Sequence, residues 1–482
     1  MVNTITISTP TAQWQPESSR KIVKRIVAIG TLVLQTPAHF GSGQQSGTEM
    51  IILEDELEKK PLLPGPSLAG ALRHYIWRRE RGYRDGTAQP ATCWAVKLFG
   101  RALDEEKGRQ SRVWVDDALG EGALVIRDGV KIDGATRTAD DGALYSTQVW
   151  ERGTTFKLRL ELCIYEDDDD LHSLEHAFAA ALRGLEKGEI PFGTRKHRGY
   201  GRASVDDWAV MIYDFKRSAD LIAWLTEQPT SNTANTFLSL GDDFADKRQY
   251  LGIDAVMKLN DSLLIRDGSD VVDNAHLTSD GSPVLSGTSI AGALRARALK
   301  IAQSISAKGP VLIDDMFGRH GSSDNDAEGD LTASRLIVEE HLIENPSFDY
   351  IQTRVKIDRF TGGAFDTALF EEQPVFAKDN TRVRIRLELR YPTQPDSRVD
   401  AQAGLLLLLL KDLWKGDLAL GGESNIGRGR LNGERATIEM KTKTDKKPTR
   451  IELNVQGLVE PAQAEVLQEK VNALWQYLEG DA

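Results

Sequence analysis

The chain has 482 residues, of which 40% are hydrophobic and 27% charged, the balance of a globular protein with room for about two to four domains. Its two cysteines, Cys93 and Cys163, stand far apart without metal-type spacing, which argues against a disulfide framework or zinc site and favours a reducing, cytoplasmic setting. A formal net charge of −12 speaks against nucleic acid as a partner of the molecule as a whole, although a ligand meets only the local potential of a groove.

In chain order, residues 1–19 are polar and carry no secretory signal. A strand is expected over residues 24–34, then a long polar loop. A turn at Gly65, Pro66 and Ser67 opens a helix with Leu68, Leu72 and Ile76 at helical spacing and Ser67 as its cap. An alternating strand at 155–163, a solvated acidic turn at 167–170 and a helix at 171–187 follow. A glycine- and arginine-rich loop leads into a last strand, and the polar stretch up to residue 247 reads as a linker. The same order then returns: strand 250–259, a turn at Gly287, Thr288 and Ser289 with Ser289 as cap, strand 382–389, helix 401–415 and a second glycine-rich loop. Residues 405–410 are six consecutive leucines bounded by Asp400 and Lys411. A membrane span needs about 20 apolar residues, so this run reads as a buried helix and no membrane is expected. A charged spacer at 441–447 precedes an amphipathic helix at 461–478. The expected division is a first domain at 20–215, a linker at 216–247, a second domain at 248–440, and the spacer and terminal helix at 441–482.

Four pairs of segments recur in one order. Residues 61–73, with Gly65, Ser67, Gly70 and Arg73, match 283–295, with Gly287, Ser289, Gly292 and Arg295. Leu98-Phe99-Gly100 matches Met316-Phe317-Gly318, and Val130-Lys131-Ile132-Asp133 matches Val355-Lys356-Ile357-Asp358. Gly199-Tyr200-Gly201-Arg202 matches Gly427-Arg428-Gly429-Arg430. A near-constant separation of roughly 220 residues is the signature of a duplicated unit. Strand–helix–strand twice within each copy is the ferredoxin-like order. Each glycine turn at a helix start reads either as a plain cap or as a phosphate seat extended by Arg73 or Arg295. The final loops hold Arg195, Lys196, Arg198 and Arg202 in one copy and Arg428 and Arg430 in the other. Arginines interleaved with glycines suit close approach to a phosphate backbone; a solvated turn is the plainer alternative.

Together these motifs resemble the RAMP superfamily over residues 24–210 and 248–438, and within it the backbone subunits of type III CRISPR effector complexes. Two units in one chain resemble the fused double-backbone subunit of the type III-D variants. The resemblance implies an α+β fold of two tandem ferredoxin-like (RRM-like) RAMP domains with thumb-hairpin insertions. It implies guide (CRISPR) RNA and target RNA as ligands and other subunits of the complex as protein partners. By motif, residues 130–144 and 355–369 are the thumbs, with Lys131, Arg137 and Lys356 on phosphates and Phe360 and Phe365 stacking on bases. Ser67, Arg73, Arg195, Arg198 and Arg202, and Ser289, Arg295, Arg428 and Arg430, are the further RNA contacts. Asp133 and Asp358 read as carboxylates that stabilise turns.

The family carries, between its first strand and first helix, an aspartate that serves metal-dependent cleavage of target RNA. In the second copy Val272-Asp273-Asn274 resembles that pattern, which makes Asp273 the expected catalytic residue and ligand of a divalent Mg2+ or Mn2+ ion; Asp267, Asp270 and Asp280 are weaker matches. The first copy has Thr48 or Glu49 there and either binds RNA without cutting or cuts weakly through Glu49. His39 and His276 lie in the same loops and offer a metal-independent base. Two alternatives stay open: a non-catalytic RNA-binding scaffold, and a metal-independent endoribonuclease that processes guide precursors. Gly-x-Ser-x-x-Gly around Ser67 and Ser289 is not the spacing of a hydrolase elbow, and no nucleotide-binding fingerprint is present.

Overall fold

The computed structural model describes residues 21–46, 49–83, 90, 92–100, 110–133, 138–166, 168, 170–268, 271–319, 332–445, 447–457 and 459–480. The first half contains β1 (Ile22–Leu34), β2 (Gly41–Ser46), β3 (Glu49–Ile52), α1 (Gly65–Arg81), β4 (Val113–Val115), β5 (Leu124–Ile132), β6 (Ala139–Trp150), β7 (Thr155–Tyr165), α2 (Leu171–Glu186), β8 (Ala203–Val205) and β9 (Ala209–Asp214). Strand β1 is central, antiparallel to β7 on one side and to β8 and β9 on the other, and β4 pairs with β7. The last strand, the first, the third and the second thus lie in that spatial order, which is the ferredoxin-like sheet. Phe156, Leu158, Leu160 and Leu162 alternate inward along β7 and meet Leu68, Leu72 and Ile76 of α1 and Phe178 and Leu182 of α2 in one core.

The second half repeats the plan with β10 (Gln249–Asn260), α3 (Gly287–Ile305), β11 (Leu336–Val338), β12 (Gln352–Ile357), β13 (Ala364–Gln373), β14 (Arg382–Tyr391), α4 (Ser397–Trp414), β15 (Arg430–Lys441), β16 (Thr449–Leu453) and α5 (Pro461–Glu479). Its sheet runs β11-β14-β10-β15-β16, the same order with one added strand. Burial alternates residue by residue along β10, as a sheet with one covered face requires. The leucine run lies on α4 and is buried on two sides. One side meets the sheet. The other meets α5, which passes so close that a Cβ on Gly404 would lie 2.1 Å from the Lys470 carbonyl oxygen.

Three local expectations change. Helix α1 begins at Gly65 behind Pro64, without a side-chain cap, so Ser67 sits inside the first turn. In α3 the cap is Ser286, whose hydroxyl accepts from the Ser289 amide at 3.3 Å. Both helices start at the glycine, earlier than the serines suggest. The expected linker is not a bare connection: Ser218–Leu225 and Ala234–Leu240 are helical, and Ala234, Phe237 and Leu238 join the first core. Lys441, at the head of the expected spacer, ends β15 and pairs with Asp246 at 3.0 Å.

The halves meet head to tail. Arg127 of β5 pairs with Glu340 at 2.7 Å, both side chains almost fully buried, and Arg202 pairs with Glu339. The final loop of the first half covers the start of α3: a Cβ on Gly287 would lie 2.5 Å from the Arg198 carbonyl oxygen, and one on Gly199 2.7 Å from the Glu340 amide nitrogen. Tyr83 donates to Glu388 at 3.2 Å on another side of the junction. No helix among the described residues is long and apolar enough to cross a membrane.

Candidate nucleic-acid interface

In the first half the glycine turn and the final loop form the two walls of one groove. It has a volume of about 620 Å³, with Ser67, Gly70, Arg73 and His74 on the α1 side and Gly193 and Lys196 on the loop side. The loop doubles back sharply at Gly201, where φ is +73° and a Cβ would lie 1.9 Å from the Phe192 carbonyl oxygen; only glycine fits. Burial, followed by the charges of Arg78 and Arg390, holds the Lys196 ammonium below its ordinary range. Burial, then Arg78, Lys196 and Arg73, does the same to His74, and burial with Arg390 and Arg78 pushes His197 down to about 4. Among the described residues neither Arg78 nor Lys196 has an ion-pair partner. Cations that depress one another are relieved by an arriving anion, and of these Lys196 and Arg73 line the groove. His74 and Arg78 were not legible as candidates from motif alone. They continue the helix face of Ser67 and Ala71 at helical spacing, and that stripe was the available signal.

The other arginines of this loop have other partners. Arg195, held at a φ of 53°, lies 4.5 Å from the ring centre of Tyr145 in β6 and so ties the loop to the thumb. Burial and the charges of Arg195 and Arg295 lower Arg198, against an opposing contribution from Tyr145. Arg202 is taken by Glu339 and acts in the junction.

The second half keeps the geometry and loses the charge. At the position of Arg195 stands Glu423, also left-handed with a φ of 58°. Arg428 corrects the sequence reading: it is 2% exposed, pairs with Glu423 at 2.9 Å and Glu372 at 3.1 Å, and donates to Gln352 at 2.7 Å. Burial demands partners for a charge, so Arg428 holds the loop to the thumb base and does not present itself to a ligand. Arg295 is likewise engaged, with the Gly318 carbonyl at 2.9 Å and Asp314 at 2.7 Å. Ser289 is half-buried in the first turn of α3, and Arg430 is exposed.

Both expected thumbs are antiparallel hairpins, β5–β6 and β12–β13, with Val130 opposite Leu144 and Val355 opposite Leu369. Both carry exposed apolar side chains among their described residues. Ile132 and Leu144 are exposed on one, and Ile357, Phe365 and Leu369 on the other, with Phe360 100% exposed. Asp358 accepts from the Phe360 amide at 3.0 Å and the Thr361 hydroxyl at 2.8 Å, the turn-stabilising role read from sequence. Lys131 is exposed and pairs with Asp140 at 2.8 Å. Lys356 lies 5.0 Å from the ring centre of Phe365, a cation beside a stacking surface. Arg137 lies outside the described residues, as do Thr48 and Asp270.

Asp273 is exposed and accepts the Glu371 amide at 2.8 Å, which fixes it at the base of the second thumb. Next to it Asn274 pairs in parallel with Glu372 of β13. In the first half Met50 pairs in parallel with Thr147 of β6, and Glu49 with Ser146. The hairpin motifs put Thr147 and Glu372 at matching places, so the backbone register sets Glu49 and Asp273 at one equivalent position. The histidines do not belong to this surface. His39 is 3% exposed and its Nδ1 lies 2.7 Å from the Gln148 carbonyl oxygen. His276 is 1% exposed, accepts from the Ile265 amide at 3.1 Å and contacts the Val284 carbonyl oxygen at 2.9 Å. Burial pushes it down to about 4. The histidine-based route therefore loses its residues: both rings are committed to backbone groups. No group of three or more His, Cys, Asp or Glu able to hold a metal occurs among the described residues.

The family model described as the RAMP superfamily matches residues 31–204 and 257–432, one match to each half. No curated protein matches the chain.

Proposed function

Because the chain belongs to the RAMP superfamily, whose members are CRISPR-associated RNA-binding subunits, we propose that it is a guide-RNA-binding backbone subunit of a type III effector complex, one that holds the guide–target duplex and cleaves target RNA chiefly through its second half. The fused double-backbone arrangement of the type III-D variants is the form that two tandem units support best. The observation that carries RNA binding is the groove lined by Arg73, His74 and Lys196, whose His74 and Lys196 also feel the charge of Arg78. A phosphate chain laid there neutralises charges that otherwise repel each other. From the groove the strand would pass beneath the two hairpins, where Phe360 and the exposed apolar side chains meet bases and Lys131 and Lys356 meet phosphates.

For cleavage, Asp273 supplies a carboxylate at the thumb base, oriented by the Glu371 amide and open to solvent. It would be the ligand of a Mg2+ or Mn2+ ion, and one carboxylate suffices where phosphate and water complete the shell. Such an ion would neutralise charge on the scissile phosphate. Asp273 itself is also able to accept a proton from a 2′-hydroxyl. Glu49 stands at the equivalent backbone position in the first half and is the weaker candidate. A non-catalytic scaffold is the second reading, favoured by the lack, among the described residues, of any group of three or more side chains able to hold a metal.

The deciding experiment maps target-RNA cleavage by the assembled complex carrying Asp273→Ala or Glu49→Ala. Asp273→Ala should remove one cleavage position while guide RNA stays bound, and chelation by EDTA should stop all cutting. Cleavage unchanged in Asp273→Ala overturns the catalytic assignment, and loss of guide RNA would make Asp273 a structural residue.

A further inference from the structure

Two histidines of the first half are placed unlike those already bound within the fold. His39 and His276 are buried against backbone groups, and His341 lies 3.3 Å from Glu339. His74 and His197 have no hydrogen-bond partner among the described residues. His74 is exposed on α1, next to Arg73 and one turn before Arg78, and it lines the groove. His197 is half-buried in the short turn Lys196–Arg198 of the facing loop. The charged groups that face His74 are Arg73 and Arg78 of its own helix and Lys196 of the loop. Those that face His197 are Lys196 beside it, Arg78 of α1, and Arg390 and Glu388 of β14. Glu388 is already engaged: Arg390 pairs with it at 2.7 Å and Tyr83 donates to it at 3.2 Å. Both imidazoles thus stand among cations without a carboxylate to share.

Desolvation first, and the neighbouring cations second, keep both rings neutral near pH 7. A phosphate chain in the groove reverses the second cause, because its charge opposes that of Arg73, Arg78, Lys196 and Arg390. Once protonated, each ring donates from both nitrogens and gains a charge to set against a phosphate oxygen. The second half supplies a contrast within the same chain. Its loop keeps the same shape, with Glu423 at a φ of 58° where Arg195 has 53° and Gly427 at 96° where Gly199 has 90°. Yet Ala296 stands at the place of His74, Asn425 at that of His197 and Ser424 at that of Lys196. The loop geometry alone therefore does not call for an imidazole at either place.

We infer that His74 and His197 are further contacts to the RNA backbone and take up protons as the phosphate chain arrives, so that the groove grips RNA more tightly as pH falls. This rests on the reading of the groove as an RNA site. Protons favour the state that binds more of them, here the RNA-bound one, so affinity is gained as pH drops and lost as it rises. The test is calorimetric titration of the purified full chain with a single-stranded oligouridylate, whose bases carry no group that titrates near neutrality. Salt is held constant, and buffers of different ionisation enthalpy count the protons absorbed. The wild type should bind roughly tenfold more tightly at about pH 5.5 than at about pH 8, with protons drawn from the buffer. His74→Ala with His197→Asn, which installs the residues of the second half, should cut that dependence to less than about twofold and abolish the uptake. His74→Gln with His197→Gln serves should that pair unfold the protein, which a melting curve reports. Wild-type affinity that ignores pH overturns the inference, as do proton uptake and pH dependence that survive in a folded double variant. Absence of binding at every pH overturns the RNA-binding reading along with it.

Discussion

Replacing Arg127 by methionine should loosen the two halves more than any surface change. Its guanidinium lies 2.7 Å from Glu340 with side-chain exposures of 4% and 3%. Burial opposes that charge, but Glu340 outweighs it and holds Arg127 above the usual arginine range. Removing one partner of a buried pair strands the other charge and costs about 3–5 kcal/mol. For units of this size a kcal/mol moves the melting midpoint by roughly 2–4 °C, so Arg127→Met should melt on the order of 10 °C lower. Removing both charges, in Arg127→Met with Glu340→Leu, should recover most of the loss, since apolar replacement of a whole buried pair is often near neutral. Tryptophan-fluorescence melts of the four proteins give the coupling directly. A single variant that costs less than about 1 kcal/mol, or a double variant no better than the single one, would refute the picture of a sealed junction.

Arg428→Met should destabilise by less, about 1–3 kcal/mol, because Arg354 still pairs with both Glu372 and Glu423. RNA affinity measured well below the melting point should be unchanged, and a loss of affinity without loss of stability would restore Arg428 as a ligand contact. Phe360→Ala should leave stability within about 0.5 kcal/mol, since the ring is fully exposed, yet weaken single-stranded RNA binding by ~1–3 kcal/mol if the ring stacks on a base. Equal RNA affinity in a filter-binding assay would remove it from the interface. His276 is held down to about 4 by burial, against an ordinary 6.5. Below 6.5 the unfolded chain takes up a proton that the folded one refuses, so stability should fall as pH drops from 6.5 towards 4, by at most about 3 kcal/mol from this group. Denaturation of His276→Asn should show a shallower pH slope, and superimposable slopes would contradict the burial argument.

Much of the fold was legible because its signals are local. The strand at Ile22–Leu34, the helix at Leu171–Glu186 and the terminal helix at Pro461–Glu479 were marked by periodicity within a few residues of their ends. The duplication was legible because four motifs kept their order. Within the candidate site, the turn role of Asp358 was readable since its partners Phe360 and Thr361 are two and three residues away. The fates of the arginines were not. Arg202 and Arg428 belong to matching glycine-rich loops, yet Arg202 answers to Glu339, 137 residues away, while Arg428 is enclosed by Gln352, Glu372 and Glu423.

What the amino-acid order alone determined is therefore the duplicated α+β plan, its glycine turns and its hairpins, all set by hydrophobic period and backbone freedom that act over a few residues. Tertiary structure decided which charges are spent on holding the protein together and which are left over. It buried His39, His276 and Arg428, gave Arg127 and Arg202 to the junction, and set Arg73, His74 and Lys196 along one groove. A side chain's charge is written in the sequence, but its partner and its distance from water depend on segments that only folding brings together.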